Sequence, residues 1–230
     1  MDVDLGQAQQ EARQAGLELI KDECGLVLTD GTMKLSCDFM ALLPRLRQDR
    51  LARELVVRAA RIKAVTQAVV VDATAGLGED SLLFAAAGCK VLLFENDAVI
   101  AALLHDGLQR AAGIAQLAPV VARMQLFENN SVDVLPRLAN KVDVVYLDPM
   151  FPGRSKSAAV KKKFQLLHQL EQPCTDERAL LHAALAANPR KVVIKRPLKA
   201  PTLAASHPSY SLLGKAVRFD VIVPPQTLSQ

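Results

Sequence analysis

The chain has 230 residues, enough for one large domain or for one domain with a small extension. Half of it is hydrophobic, so a sizeable core can form, but aromatics make up only 4% and Trp is absent, which leaves packing to Leu, Val, Ile and Ala. The net charge of +4 selects no partner by itself, and no apolar run reaches the ~18 residues of a membrane helix.

Residues 7–16 suit a short helix. Leu17–Ile20, Leu26–Leu28 and Thr32–Cys37 read as short strands, with a turn at Thr29-Asp30-Gly31. From Leu42 to Ile62 the apolar residues Leu42, Leu46, Leu51, Leu55, Val56 and Ala59 recur near helical spacing, which predicts one arginine-rich helix. These elements make a small α+β extension, residues 1–66, ahead of a main domain, residues 67–230. The rhythm then changes. Strands are expected at Ala68–Val71, Lys90–Phe94, Met124–Phe127, Val142–Leu147 and Lys191–Ile194, with helices at Asp80–Ala87 and Ala98–Ala112. Such alternation implies βαβ units and a mostly parallel twisted sheet with helices on both faces, an α/β fold. Tyr210–Leu213 and Val217–Val223 flank Gly214-Lys215 and predict an antiparallel C-terminal hairpin.

Positive charge comes in runs. Seven Arg/Lys lie between Arg45 and Lys63, five between Gly153 and Lys163, and five between Arg190 and Lys199. Each run alone suits a solvated face. Folded onto one side, the three would form a phosphate-binding surface. The cysteines Cys24, Cys37, Cys89 and Cys174 have no metal-binding spacing with the four His, so no metal is expected. Reduced cysteines and a polar start without an apolar leader segment predict a cytoplasmic protein.

Chemistry concentrates at the predicted strand tips. VVVDATAGLGEDS runs from a strand through Asp72, Gly76 and Gly78 into a helix, where glycines permit a tight turn and close approach of a ligand to the backbone. Ser81 stands where a dinucleotide fingerprint has its third glycine, and neither Tyr146 nor Tyr210 has a lysine four residues on, which disfavours a nicotinamide-dependent oxidoreductase. Glu95, 19 residues after Gly76, closes the second strand where an acid can accept from ribose hydroxyls. At the third tip, Asn130 and Ser131 suit either an adenine edge or a helix cap. The fourth strand leads into DPMFPGRSKSAAVKKK, residues 148–163.

The stretches VDATAGLGED, AVIAALLHDGLQRA, VVYLDPMFPGRSKSAAVKKK, KVVIKRP and GKAVRFDV resemble those of bacterial 16S ribosomal RNA guanine-N2 methyltransferases of the J family, within the Rossmann-like S-adenosylmethionine-dependent methyltransferases. RLRQDRLARELVVRAARIK lacks the glycines of that family's basic loop before the first strand. The resemblance implies S-adenosyl-L-methionine as cofactor and 16S ribosomal RNA, or the small ribosomal subunit, as partner. It implies Glu79 and Asp80 beside the methionine end, Glu95 and Asn96 at the ribose and adenine, Asn130 and Ser131 flanking the adenine, and Asp148 between cofactor and target base.

On that basis Asp148 and the Pro149 carbonyl are suited to accept from a guanine amine and Phe151 to stack on the base. Arg154, Lys156, Lys161, Lys162 and Lys163 would meet RNA phosphates. Lys195 and Arg196, at the neighbouring tip, would join them. Two alternatives fit the same residues: an adenine-N6 or cytosine-N4 methyltransferase, or a non-catalytic RNA-binding protein.

Overall fold

A computed structural model describes residues 3–63, 65–138, 142–149, 166, 170 and 176–225. Helix α1 (Leu5–Gln14) starts earlier than expected because Asp4 caps it, its side chain accepting from the Gly6 and Gln7 N–H groups. Strands β1 (Glu18–Asp22), β2 (Gly25–Thr29) and β3 (Lys34–Leu35) pair antiparallel in that order. Asp30 shapes the last turn by accepting from the Thr32 and Met33 N–H groups.

The single helix expected over Leu42–Ile62 is instead three: α2 (Leu43–Leu46), α3 (Gln48–Leu51) and α4 (Leu55–Ala60). The chain turns extended at Arg47 (ψ 135°) and Glu54 (ψ 122°). These bends bring Arg45 back onto Glu54 in a two-pronged ion pair of 2.8 and 2.9 Å. They also let Leu51, Val56 and Ala59 all reach the core. Tertiary packing and one ion pair override helical periodicity here.

The main sheet has seven strands: β4 (Val69–Asp72), β5 (Lys90–Glu95), β6 (Met124–Glu128), β7 (Val144–Leu147), β8 (Lys191–Pro197), β9 (Tyr210–Leu213) and β10 (Val217–Ile222). Their order is β6-β5-β4-β7-β8-β10-β9. The first five are parallel, and β10 runs antiparallel between β8 and β9. The expected parallel sheet with a closing antiparallel hairpin is therefore observed. Strand β8 continues through Lys195-Arg196-Pro197, beyond its expected end, because β10 pairs with it as far as Val217↔Pro197.

Alternation along the strands separates two apolar layers. Val70, Val144, Tyr146, Val193 and Phe219 face α5 (Glu79–Ala86) and α6 (Ala98–Ala112). Val71, Val145, Leu147, Val192 and Ile194 face α9 (Glu177–Ala186) and Leu135. Two short helices, α7 (Ala118–Val121) and α8 (Ser131–Val134), flank β6. Neither α7 nor α9 was among the predicted elements, and α8 was foreshadowed only by the helix-cap reading of Asn130 and Ser131. Of these α9 carries a legible signal, an Asp176 cap before ERALLHAALA.

Residues of the extension share the first layer's buried cluster: Ala8, Ala12, Leu28, Leu35 and Phe39 lie in it with Val70 and Leu104. Polar contacts fix the joint. Asp106 of α6 accepts from the Leu26 N–H and from Arg110 Nε, and Arg110 donates onward to the Cys37 carbonyl. Gly107 lies under Cys37, where a Cβ would come within 2.4 Å of Sγ. Gly107→Ala is therefore expected to destabilise the protein by about 1–3 kcal/mol through overpacking. A free helix position would instead gain about 1 kcal/mol from the same change. Urea unfolding decides the sign.

Chain order runs outward from β4 to β6 and then returns to β7 on the other side of β4. The order thus reverses between β4 and β7, and a crevice opens at the carboxyl ends of those strands. The predicted site residues of both strands lie at this point.

Candidate active site

The loop after β4 is built around two left-handed glycines, Gly76 (φ 53°) and Gly78 (φ 71°). A Cβ on Gly78 would stand 2.8 Å from Leu104 Cδ1, so both conformation and space require glycine there. Asp72 lies beneath the loop rather than at its surface, with 2% of its area exposed. It accepts from Ser81 Oγ at 2.7 Å and from the Thr74 N–H at 3.2 Å. Ser81, whose position first registers only as a missing glycine, therefore ties α5 to the end of β4.

Burial raises the Asp72 carboxyl to about 7, against the smaller opposing effects of these two hydrogen bonds. A raised carboxyl favours the folded state while protonated, and that advantage is lost as pH climbs from the ordinary 3.8 through about 7. Asp72→Asn is accordingly expected to gain stability relative to the parent across that window. Parallel chemical-denaturation curves at pH 5 and pH 8 check it, and a constant difference between the two proteins would contradict it.

Glu95 reaches back from the end of β5 and holds the loop. One carboxylate oxygen accepts from the Gly76 N–H at 2.8 Å, the other from the Asn96 and Asp97 N–H groups at 2.8 and 2.9 Å. Its pKa is raised because burial outweighs these bonds. Asn96 is exposed beside it, while Asp97 caps α6 through the Val99 and Ile100 N–H groups. Asn130 caps α8 by accepting from the Val132 N–H, and Ser131 is buried at the first position of that helix.

The centre of the crevice is a linked set of polar side chains. Lys195 Nζ donates to Asp80 Oδ2 and Asp148 Oδ2, both at 2.8 Å. Tyr146, fully buried and edge-on to Phe84, donates its hydroxyl to the same Asp80 oxygen at 2.6 Å. Thr74 Oγ1 accepts from the Asp148 N–H at 2.7 Å, which joins the glycine loop to the tip of β7. Burial raises the Asp148 pKa, with Lys195 opposing the rise. At Asp80 the effect of burial is overcome, chiefly by the Lys195 charge, and the pKa is lowered. Arg45 of the extension lies near enough to contribute to that lowering.

Sequence reasoning missed Thr74 and Tyr146. The buried hydroxyl of Tyr146, two positions before Asp148 and so on the same strand face, was the available signal.

Two predicted RNA contacts need correction. Arg196 is only 2% exposed, and its guanidinium is bonded to the Pro201 carbonyl and to Glu177. Lys195 is engaged between two carboxylates rather than presented to phosphates. Nor does the third basic run form one patch. Arg190 pairs with Asp143, and Lys191 donates to the Ala59 and Arg61 carbonyls at the opposite end of β8. Phe151, Arg154, Lys156, Lys161, Lys162 and Lys163 lie outside the described residues. Among the described residues no cluster of His, Cys, Asp and Glu is suited to a metal, and no helix is long and apolar enough to cross a membrane.

The crevice has the features a nucleoside with an amino-acid end needs. Backbone comes close at Gly76 and Gly78, acceptors stand at Glu95, and the positive end of the α5 dipole meets the loop. Known proteins share this architecture. A family model described as "Putative SAM-dependent methyltransferase" matches residues 4–224. "Ribosomal RNA small subunit methyltransferase J" of Thioalkalivibrio sulfidiphilus is 44% identical over 221 residues, covering 93% of this chain and 87% of the relative. The protein of the same name from Marinobacter nauticus is 41% identical, covering 93% and 80%. The crystal structure of a SAM-dependent methyltransferase from Neisseria gonorrhoeae superposes with a TM-score of 0.75 at 29% identity, covering 100% of this chain and 98% of that one. The chain therefore belongs to the ribosomal RNA small subunit methyltransferase J family of S-adenosylmethionine-dependent methyltransferases.

Proposed function

We propose that the protein transfers a methyl group from S-adenosylmethionine to the exocyclic N2 amine of a guanine in 16S ribosomal RNA. One observation carries this reading: Asp148 stands at the tip of β7, tied through Thr74 to the glycine loop and through Lys195 to Asp80. An acceptor for an amine is thereby joined to the loop best suited to the cofactor. The names of the relatives, small-subunit ribosomal RNA methyltransferases, support the choice of RNA.

The cofactor supplies a methyl group on a sulfonium, already electrophilic. The chain's residues have to bind it, align the amine with it and exclude competing geometries. In this assignment Gly76, Gly78, Glu79 and Asp80 line the methionine end, Glu95 and Asn96 the ribose, and Asn130 and Ser131 the adenine. Asp72 supports the loop from below. Asp148 and the Pro149 carbonyl accept from the guanine N–H groups. They turn the amine's lone pair toward the methyl group and stabilise the positive charge that develops. After transfer the amine nitrogen carries one proton too many, and water takes it.

Phe151 would stack on the unpaired base, and Arg154, Lys156 and Lys161 to Lys163 would hold phosphates. Residues 67–230 carry the transfer, while α1 and β2 of the extension cover α6 and its Arg45 lies near Asp80. The protein works in the cytoplasm, where ribosomal RNA is found.

The test is tritium transfer from labelled cofactor to bare 16S RNA and to small subunits, followed by digestion to nucleosides. Labelled N2-methylguanosine is expected. Methyladenosine or methylcytidine would replace the guanine assignment with the adenine-N6 or cytosine-N4 alternative. RNA binding without transfer would replace it with a non-catalytic one.

A further inference from the structure

We propose that Lys195 is a positioning residue for the methyl-transfer step: it holds one oxygen of Asp148 so that the other is presented to the target amine as a fixed, ionised acceptor. The inference rests on the assignment of Asp148 as the amine acceptor and goes beyond it by assigning a task to the lysine of the neighbouring strand.

The geometry comes from three elements. Strand β8 lies beside β7 in parallel register, with Leu147 opposite Ile194, so the next positions of the two strands are Asp148 and Lys195. Asp80 enters from the first turn of α5. Lys195 Nζ lies 2.8 Å from Oδ2 of each acid, and its side chain is 27% exposed. Asp148 is fixed a second time through its backbone N–H, which donates to Thr74 Oγ1. Among the described residues the side-chain donor to Asp148 is Lys195, on Oδ2, which leaves Oδ1 facing the crevice. A carboxylate with one oxygen clamped and its main chain tethered has little freedom left. Its second oxygen is an acceptor held in place before the base arrives.

The ammonium also sets the charge of the site. Asp72 and Asp148 stand at neighbouring strand tips and Asp80 in the first turn of α5; among the described residues Glu79, the Tyr146 hydroxyl, Arg196 and Arg45 are titratable groups near them. Arg196 faces Glu177 and Arg45 is paired with Glu54, so among the described residues Lys195 is the cation bonded directly to both Asp80 and Asp148. Burial pushes the Asp148 carboxyl up and Lys195 pushes it down. Without the ammonium, Asp148 would hold its proton to higher pH and lose acceptor capacity. With it, part of the rise caused by burial is offset, and Asp148 is held toward its ionised, acceptor-only form. Orientation of the amine, not removal of its proton, is then its contribution.

Lys195→Met and Lys195→Arg decide the matter when kcat, KM for RNA and cofactor affinity are measured from pH 5 to 9. Lys195→Met is expected to lose about 100-fold in kcat, in the range known for removal of one preorganised electrostatic partner. Its KM for RNA should change less than about threefold, because uniform binding is not what is lost. The acidic limb of its kcat profile should move to higher pH, because the carboxyl loses the cation that opposes the effect of burial. Lys195→Arg should return the limb to its parental position and recover part of kcat. Should the Met variant fail to fold, Lys195→Gln removes the charge while keeping a donor and carries the same pH test. An acidic limb that stays in place in the neutral variants would overturn the proposal, as would a loss residing wholly in KM. The nucleoside released by the parent protein is a separate readout: a product other than N2-methylguanosine rejects the guanine assignment and leaves the pH comparison to judge Lys195.

Discussion

Asp148→Ala is expected to lower kcat for methyl transfer by about 10²–10³-fold, the usual loss when one preorganised hydrogen-bonding partner of a developing charge is removed. The fold should tolerate the change. Burial works against ionised Asp148, and its partner Lys195 keeps a second carboxylate in Asp80. The Asp148 backbone contact to Thr74 does not depend on the side chain. The thermal midpoint should therefore move by less than about 4 °C, equivalent to about 1 kcal/mol for a chain of this size. Single-turnover transfer from tritiated cofactor measures the first quantity and calorimetry the second. Asp148→Asn adds a finer test. It keeps one acceptor oxygen but no charge, so an orienting role predicts an activity between those of the parent and the Ala variant. Parental activity in Asp148→Ala would remove Asp148 from the mechanism.

Asp80→Ala should be the more damaging change to the molecule as a whole, costing about 3 kcal/mol of stability. Tyr146 is fully buried, and the Asp80 oxygen is the hydrogen-bond partner of its hydroxyl. Leaving such a donor unsatisfied costs about 1–3 kcal/mol. The same substitution removes one of the two carboxylates on Lys195, in a largely enclosed site. Asp80→Asn, which retains an acceptor, should lose less than half as much. In a double-mutant cycle, Tyr146→Phe should recover about 1 kcal/mol of the Asp80→Ala loss, since the orphaned hydroxyl is then gone. Because the Asp80 pKa is lowered in the fold, its contribution is present above the ordinary carboxylate value of 3.8 and is lost on acidification below it. The difference between parent and variant should therefore shrink toward pH 3. An Asp80→Ala variant as stable as its parent at pH 7 would show that the Tyr146–Asp80–Lys195 contacts add nothing to the fold.

The two halves of the site differed in how well they could be read from the chain. DATAGLGED shows its glycines, its acid and the helix that follows as neighbours in sequence, and the structure keeps them neighbours in space. Asp148 could be placed at a strand tip because VDVVYL is apolar almost throughout and stops at DP. The partners of Asp148 could not be named. Thr74 and Lys195 lie 74 and 47 residues away in sequence and meet it through sheet order and register alone. Charge was the least legible property. KRP at the end of β8 looked like two cations for phosphate, yet successive side chains of a strand point to opposite faces. Lys195 consequently enters the crevice, and Arg196 turns away to Glu177 and the Pro201 carbonyl.

By itself the sequence determined the alternation of strands and helices, the parallel sheet with its antiparallel end, and the loop and strand tips where chemistry would gather. These follow from local periodicity, glycine placement and the length of apolar runs, all properties of neighbours along the chain. Only the tertiary structure decided that the arginine-rich stretch breaks into three helices, that Asp72 supports the loop from beneath, and that Lys195 bridges Asp80 and Asp148. Each of those outcomes depends on burial and pairing between distant segments, where an ion pair or a filled core outweighs the small free-energy differences of local propensity.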